Sequence, residues 1–287
     1  MIIDLHTHTF PDRIVRTTIE KLCTASHTCP FSDGTANGLR RSMKEAGVDL
    51  SVVMPVATSP RQVRHVNDAS ARLNEQGEGL MSFAAIHPAL DDWQAELGRV
   101  AEQGFCGVKV HPIYQGMDID DPQYVRLLAR AGELGLAVLT HAGQDIGFPG
   151  QDNCTPEMLR RAVKAAGPVH VIAAHMGGWH DWDRVGECLS DLPTVALDTA
   201  YVLGLVRPKP ENYYSMQERQ MMGDAQFVDM VRAFGAHRIY FGTDSPWRGQ
   251  TQELARIRAL PLLEEEKRAI LGANAQKLLK LEGNECE

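Results

Sequence analysis

The sequence predicts an α/β protein built as a single (β/α)8 TIM barrel, with long βα loops after its first and seventh strands. Three observations carry this reading. Eight short apolar, β-branched runs recur along the chain, and amphipathic stretches with readable helix starts lie between them. No internal repeat, low-complexity tract or linker interrupts residues 1–287, which read as one domain. Strands that are apolar on both faces are those buried in a parallel sheet, and eight β-then-α units close most simply as a barrel.

The first run opens MIIDLHTHTF, where Asp4, His6 and His8 alternate, so a regular strand turns all three to one face. Two imidazoles two residues apart on such a face can converge on one cation. Residues 9–34 then form a long connection to the second run, LSVVMPVA. Ser59-Pro60-Arg61-Gln62 supplies an N-cap serine, a first-turn proline and a glutamine three residues on. LMSFAAI is the third strand and CGVKV the fourth; Gly104 and Gly107 precede Lys109 there and Pro112 ends the run, so Lys109 should point into the barrel mouth. Asp121-Pro122 starts the next helix, LAVLTH is the fifth strand, and Thr155-Pro156-Glu157 repeats the cap-then-proline signal. VHVIAAH and TVALDT are the sixth and seventh strands; a second long connection, about 202–216, leads to RIYFGTD, the eighth. Long βα connections in a barrel usually cover its site.

Composition narrows the function. A net charge of −8 argues against a nucleic-acid surface or an anionic membrane as partner. No apolar run approaches the roughly 18 residues that span a bilayer, and the N-terminus lacks the basic and apolar regions of a secretion signal. Cys23, Cys29, Cys106, Cys154, Cys188 and Cys286 are scattered without C-x-x-C spacing and read as reduced thiols of a cytoplasmic protein. Pairing or metal binding by Cys23 and Cys29 is the minor alternative. The expected partner is a small-molecule substrate, and self-association into a homo-oligomer stays open.

Barrels of this kind place their chemistry at the C-terminal ends of the strands. Of eleven histidines, His6, His8, His87, His111, His141 and His175 fall at or just past such an end. Asp244 takes the matching place on the eighth strand. A strand-end histidine alone is more often a hydrogen-bonded structural group than a ligand, but six together are a signal. Imidazole and carboxylate ligands suit Zn2+ or another borderline divalent ion. His111 shares the strand parity of Lys109, yet it and His87 each precede a proline, so both enter as substrate-pocket candidates, with Tyr114 beside them. Arg248, just after TDSPW, either holds an anionic group bidentately or lies exposed. Trp247 and Tyr201 are core packing first and pocket walls second. Gly177 and Gly178 let the chain turn sharply beside His175.

The His-x-His pair on strand one, THAG on strand five, AHMGG on strand six, GTDSPW on strand eight and the late GANAQKLLKL run in this order over nearly the whole chain. In this they resemble the amidohydrolase superfamily, particularly its amidohydrolase-2 branch. The resemblance implies that His6, His8, His141 and Asp244 ligate one divalent metal, zinc by preference. It gives Asp244 a second task, taking a proton from metal-activated water, against the simpler reading that Asp244 caps a helix at Ser245-Pro246. His175 either polarises substrate or binds a second ion. Lys109 is a substrate-binding or electrostatic group, or, if carbamylated, a bridge between two metals. The activity expected is hydrolysis of a small-molecule ester, lactone or amide. The alternative is a metal-dependent decarboxylase or hydratase, a lyase acting on a small carboxylic acid.

Overall fold

The structure, a computed structural model, describes residues 1–281, so Cys286 lies outside the described residues. Eight parallel strand positions follow the eight apolar runs: β1 (Ile3–Thr7), β2 (Leu50–Val53), β3 in two pieces (Leu80–Ser82 and Ala84–Ala85), β4 (Gly107–Val110), β5 (Ala137–Thr140), β6 (Val171–Ala173), β7 (Val195–Asp198) and β8 (Ile239–Tyr240). Each pairs in parallel with the next in sequence. The ladder breaks at Phe83, whose N–H still donates to Val53 O at 3.1 Å, so β3 belongs to both halves. The ring closes beyond Tyr240, where the chain runs beside β1. Leu5 N–H donates to Phe241 O at 2.8 Å, Asp244 N–H to His6 O at 2.8 Å and His8 N–H to Ser245 O at 2.6 Å.

The strands are apolar on both faces because they separate two cores. Leu5, Val52, Leu139, Ile172 and Ala196 pack together inside the barrel. Val108, Val138, Val195 and Phe241 pack outward against helix residues such as Leu127, Leu159 and Phe227. Gly107 is required by close approach: a Cβ there would lie 2.5 Å from a Phe83 ring carbon and 2.6 Å from Ala137 O. Gly107→Ala is therefore expected to cost about 1–3 kcal/mol of overpacking. Urea unfolding reads this, and an unchanged midpoint would show that the strands part easily here.

The helix signals held at two of three places. Asp121 accepts from Gln123 N–H at 2.7 Å and Thr155 Oγ1 from Met158 N–H at 3.2 Å, each at a helix start. Ser59 makes no cap; Pro60–Gln62 is a 3-10 turn, and Gln62 Oε1 accepts instead from Thr58 N–H at 2.9 Å. The two long connections differ from each other. Residues 9–34 are largely filled by the helix Asp12–Ser26, with Ala36–Ala46 following, whereas 199–223 hold no helix. They meet over one side of the barrel: Lys209 N–H donates to His27 O at 2.7 Å, and the His27 ring stacks on Tyr213 at 3.6 Å. Cys23, Cys29, Cys106, Cys154 and Cys188 are all free thiols. Among the described residues no helix is long and apolar enough to cross a membrane.

Candidate metal centre

The first strand does not keep the alternation its sequence suggests. Its ladder with β2 shifts register between Asp4 and Thr7, the signature of a bulge, which re-aims side chains. Asp4 consequently turns away from the histidines and accepts from Thr243 Oγ1 (2.6 Å) and from Gln250 Nε2 (2.8 Å) on an outer helix. His6 and His8 turn to the mouth, where their Nε2 atoms lie 3.2 Å apart.

Asp244 joins them. Its Oδ1 is 3.1 Å from His8 Nε2 and 3.6 Å from His6 Nε2. Asp244 holds a left-handed φ of 64°, a conformation that Asp and Asn enter more readily than other residues. Its carbonyl accepts from Trp247 N–H at 2.9 Å, while its carboxylate faces the two imidazoles and caps no helix. Burial alone would raise its pKa. The hydrogen bond from His8 and the charges of His8, His6 and His175 outweigh that and hold the carboxyl well below the usual range.

These three atoms fit a divalent ion. Separations of 3.1–3.6 Å are those of ligands about 2.1 Å from a common centre at angles of about 95–120°. The His6 and His8 rings are inclined at 69°, with both Nε2 atoms facing Asp244.

His141 stands one step away from this nest. Its Nε2 donates to Gln144 O at 3.1 Å, which leaves the Nδ1 lone pair facing His175 Nε2 at 3.1 Å. His175 Nδ1 in turn donates to Ala200 O at 2.7 Å. Two imine nitrogens so close repel unless a proton or cation lies between them, so the pair offers two further ligand atoms beside the first three. His175 takes its place through a left-handed turn: His175, Met176 and Gly177 have φ of 58°, 51° and 82°. Gly178 is extended and needs no glycine for its φ.

His111, His141 and Asp145 also bring donor atoms within 4.8 Å of one another, but their geometry is poor for metal. The two imidazoles are stacked at 4.2 Å with planes 12° apart, so their in-plane lone pairs run side by side and do not meet. His111 Nε2 instead faces Asp145 Oδ2 at 3.4 Å, and its Nδ1 is buried without a partner. Burial pushes the His111 pKa down to about 4 despite Asp145. Tyr114 packs edge-on against the His111 ring at 4.4 Å.

Lys109 reaches the nest from β4, its Nζ 3.4 Å from His6 Nε2. It is 1% exposed, and among the described residues it forms no ion pair. Burial lowers its pKa to about 8, against the pull of three carboxylates, so it remains mostly cationic at neutral pH.

Arg248 and His87 are engaged by other partners. Arg248 is buried and its guanidinium is consumed internally: Nε and Nη2 pair with Glu253 at 2.8 and 2.7 Å, Nη1 donates to Leu205 O at 2.7 Å, and Nη2 also reaches Leu203 O. It pins the 199–223 segment and has no fork left for a substrate anion. It also lies 5.2 Å over the Tyr201 ring, so Tyr201 packs against structure. Trp247 likewise packs on the outer core. His87 Nδ1 accepts from Ala89 N–H at 3.1 Å, closing its own His-Pro turn.

Asp198, at the end of β7, was not singled out from the sequence. Its Oδ2 accepts from His6 Nδ1 at 2.7 Å. The rule that selected the histidines, a polar residue at a strand's C-terminal end, applies equally to TVALDT. Asp145 carries no such signal, lying five residues past β5 on an irregular stretch.

No curated protein sequence matches. Among solved structures, an uncharacterised TIM-barrel protein from Bordetella bronchiseptica has a TM-score of 0.74 at 19% identity, covering 97% of this chain and 98% of its own. The 5-carboxyvanillate decarboxylase of Sphingomonas paucimobilis has a TM-score of 0.70 at 16% identity, covering 97% and 98%. A dihydroxybenzoic acid decarboxylase from Polaromonas sp. JS666, solved with bound manganese and 2-nitroresorcinol, has a TM-score of 0.66 at 17% identity, covering 98% and 97%. At these identities the likeness establishes the fold alone. The family model described as amidohydrolase, however, matches residues 3–281, and the chain therefore belongs to the amidohydrolase family.

Proposed function

We propose that the protein is a metal-dependent enzyme that decarboxylates a small carboxylic acid. The observation carrying this reading is Lys109: a buried ammonium beside the metal nest, without an ion-pair partner among the described residues, suits an anionic group on the substrate. The named decarboxylases of like fold support the same reaction class. His6, His8 and Asp244 would hold the ion, zinc or manganese, and His141 and His175 would complete or extend its ligand set. The bound ion supplies positive charge that withdraws electrons from the reacting group. Lys109 binds and orients the carboxylate, and the buried histidine walls exclude water. Asp244, ionised in the free protein, would take a proton from a substrate hydroxyl or a water and return it to the carbon that has lost carbon dioxide.

One observation favours a second reading. An Asp244 carboxyl held well below its usual range is ionised in the free protein and suited to taking a proton from attacking water, as hydrolysis of an ester or lactone requires. Incubation of Mn2+- or Zn2+-loaded protein with hydroxylated aromatic acids, aliphatic acids, carboxylated lactones and neutral esters separates the two. Carbon dioxide release from acids, lost in Lys109→Met by at least tenfold in kcat/KM, is the expected result. Equal turnover of neutral esters, indifferent to Lys109→Met, would contradict it.

A further inference from the structure

We propose that Asp198 is a positioning residue that fixes His6 in the one tautomer able to hold a metal ion, and ties that tautomer to the backbone turn carrying His175. The inference rests on reading His6, His8 and Asp244 as the metal nest.

A carboxylate only accepts hydrogen bonds, so the 2.7 Å contact between Asp198 Oδ2 and His6 Nδ1 places the proton on Nδ1. The lone pair is then on Nε2, the atom facing His8, Asp244 and the Lys109 ammonium. Lys109, a donor at 3.4 Å, requires the same assignment from the other side of the ring. The second carboxylate oxygen is occupied too: Oδ1 accepts from His175 N–H at 2.8 Å and from Ala200 N–H at 3.0 Å. Both residues are fully enclosed, His6 1% and Asp198 0% exposed, so no water can substitute. One carboxylate thus bridges β1 and the His175 turn, whose left-handed φ of 58° needs an anchor. Outer partners of this kind orient a ligand imidazole and set its tautomer.

This predicts an unusual outcome for an isosteric change. In Asp198→Asn the amide has one oxygen, and the two backbone N–H donors demand it at the Oδ1 position. The amide NH2 is thereby forced towards His6 Nδ1, which must become the acceptor. The proton moves to Nε2, into the nest, and blocks coordination.

Two measurements test this. Long-range 1H–15N correlation spectra of metal-free, 15N-histidine-labelled wild-type protein should show His6 protonated at Nδ1, and Asp198→Asn should show it at Nε2. Titration with MnCl2 should show affinity reduced by about 10- to 100-fold in Asp198→Asn, with thermal unfolding of the metal-free proteins nearly unchanged. A wild-type His6 protonated at Nε2, or a variant that keeps wild-type Mn2+ affinity, overturns the proposal. The wild-type spectrum decides even if the variant fails to fold. Should the wild type bind no Mn2+, the nest reading itself falls, while the metal-free spectra still report whether Asp198 positions His6.

Discussion

Asp244→Asn is expected to fold normally, to retain most of its metal and to lose turnover by about 10²- to 10⁴-fold, the usual cost of removing one acid–base group. The backbone permits the change, because asparagine tolerates the left-handed φ of 64° held at this position. The hydrogen bonds that fix the turn, Asp244 N–H to His6 O and Trp247 N–H to Asp244 O, are made by the main chain and survive. An amide oxygen can still face the nest where Oδ1 lies 3.1 Å from His8 Nε2. What disappears is a carboxylate able to gain and lose a proton. Elemental analysis, circular dichroism and a rate on the identified substrate together make the check. A metal-loaded Asp244→Asn with nearly wild-type turnover would remove the proton-carrying role and direct attention to His175.

His6→Ala should act through the opposite channel. It deletes a nitrogen 3.4 Å from Lys109 Nζ and one of three clustered ligand atoms, so metal affinity should fall by more than the roughly 10- to 100-fold expected of an outer partner. Stability should fall too. Asp198 loses the Nδ1–H donor that offsets part of the effect of burial on its carboxyl, and a buried polar group left without its hydrogen-bond partner costs about 1–3 kcal/mol. The lower end applies here, because Oδ1 keeps the His175 and Ala200 N–H donors. Equilibrium unfolding in chelator separates this loss from that of the metal; an unchanged midpoint would show that Asp198 is neutralised in another way.

The barrel was legible because burial of strands on both faces writes continuous apolar runs, and because the C-terminal strand ends are where the fold exposes side chains to the mouth. Those two regularities located His6, His8, Lys109, His141, His175 and Asp244 without any knowledge of side-chain direction. Direction is where the reading failed. Regular alternation groups Asp4 with the histidines, and the register shift between Asp4 and Thr7 cancels it. Arg248 reads from the sequence either as an anion-binding fork or as exposed, and in the fold it is neither. Glu253, the neighbour that claims it, is five positions away on a following helix, and the Leu203 and Leu205 carbonyls come from a segment without periodic pattern.

The central claim is that the metal is held by His6, His8 and Asp244. Anomalous diffraction at the manganese edge, from crystals grown with MnCl2, tests it most directly. The predicted result is one strong peak within bonding distance of His6 Nε2, His8 Nε2 and Asp244 Oδ1. A peak between His111 and Asp145 with that nest empty, or no peak at full Mn2+ saturation, would contradict it.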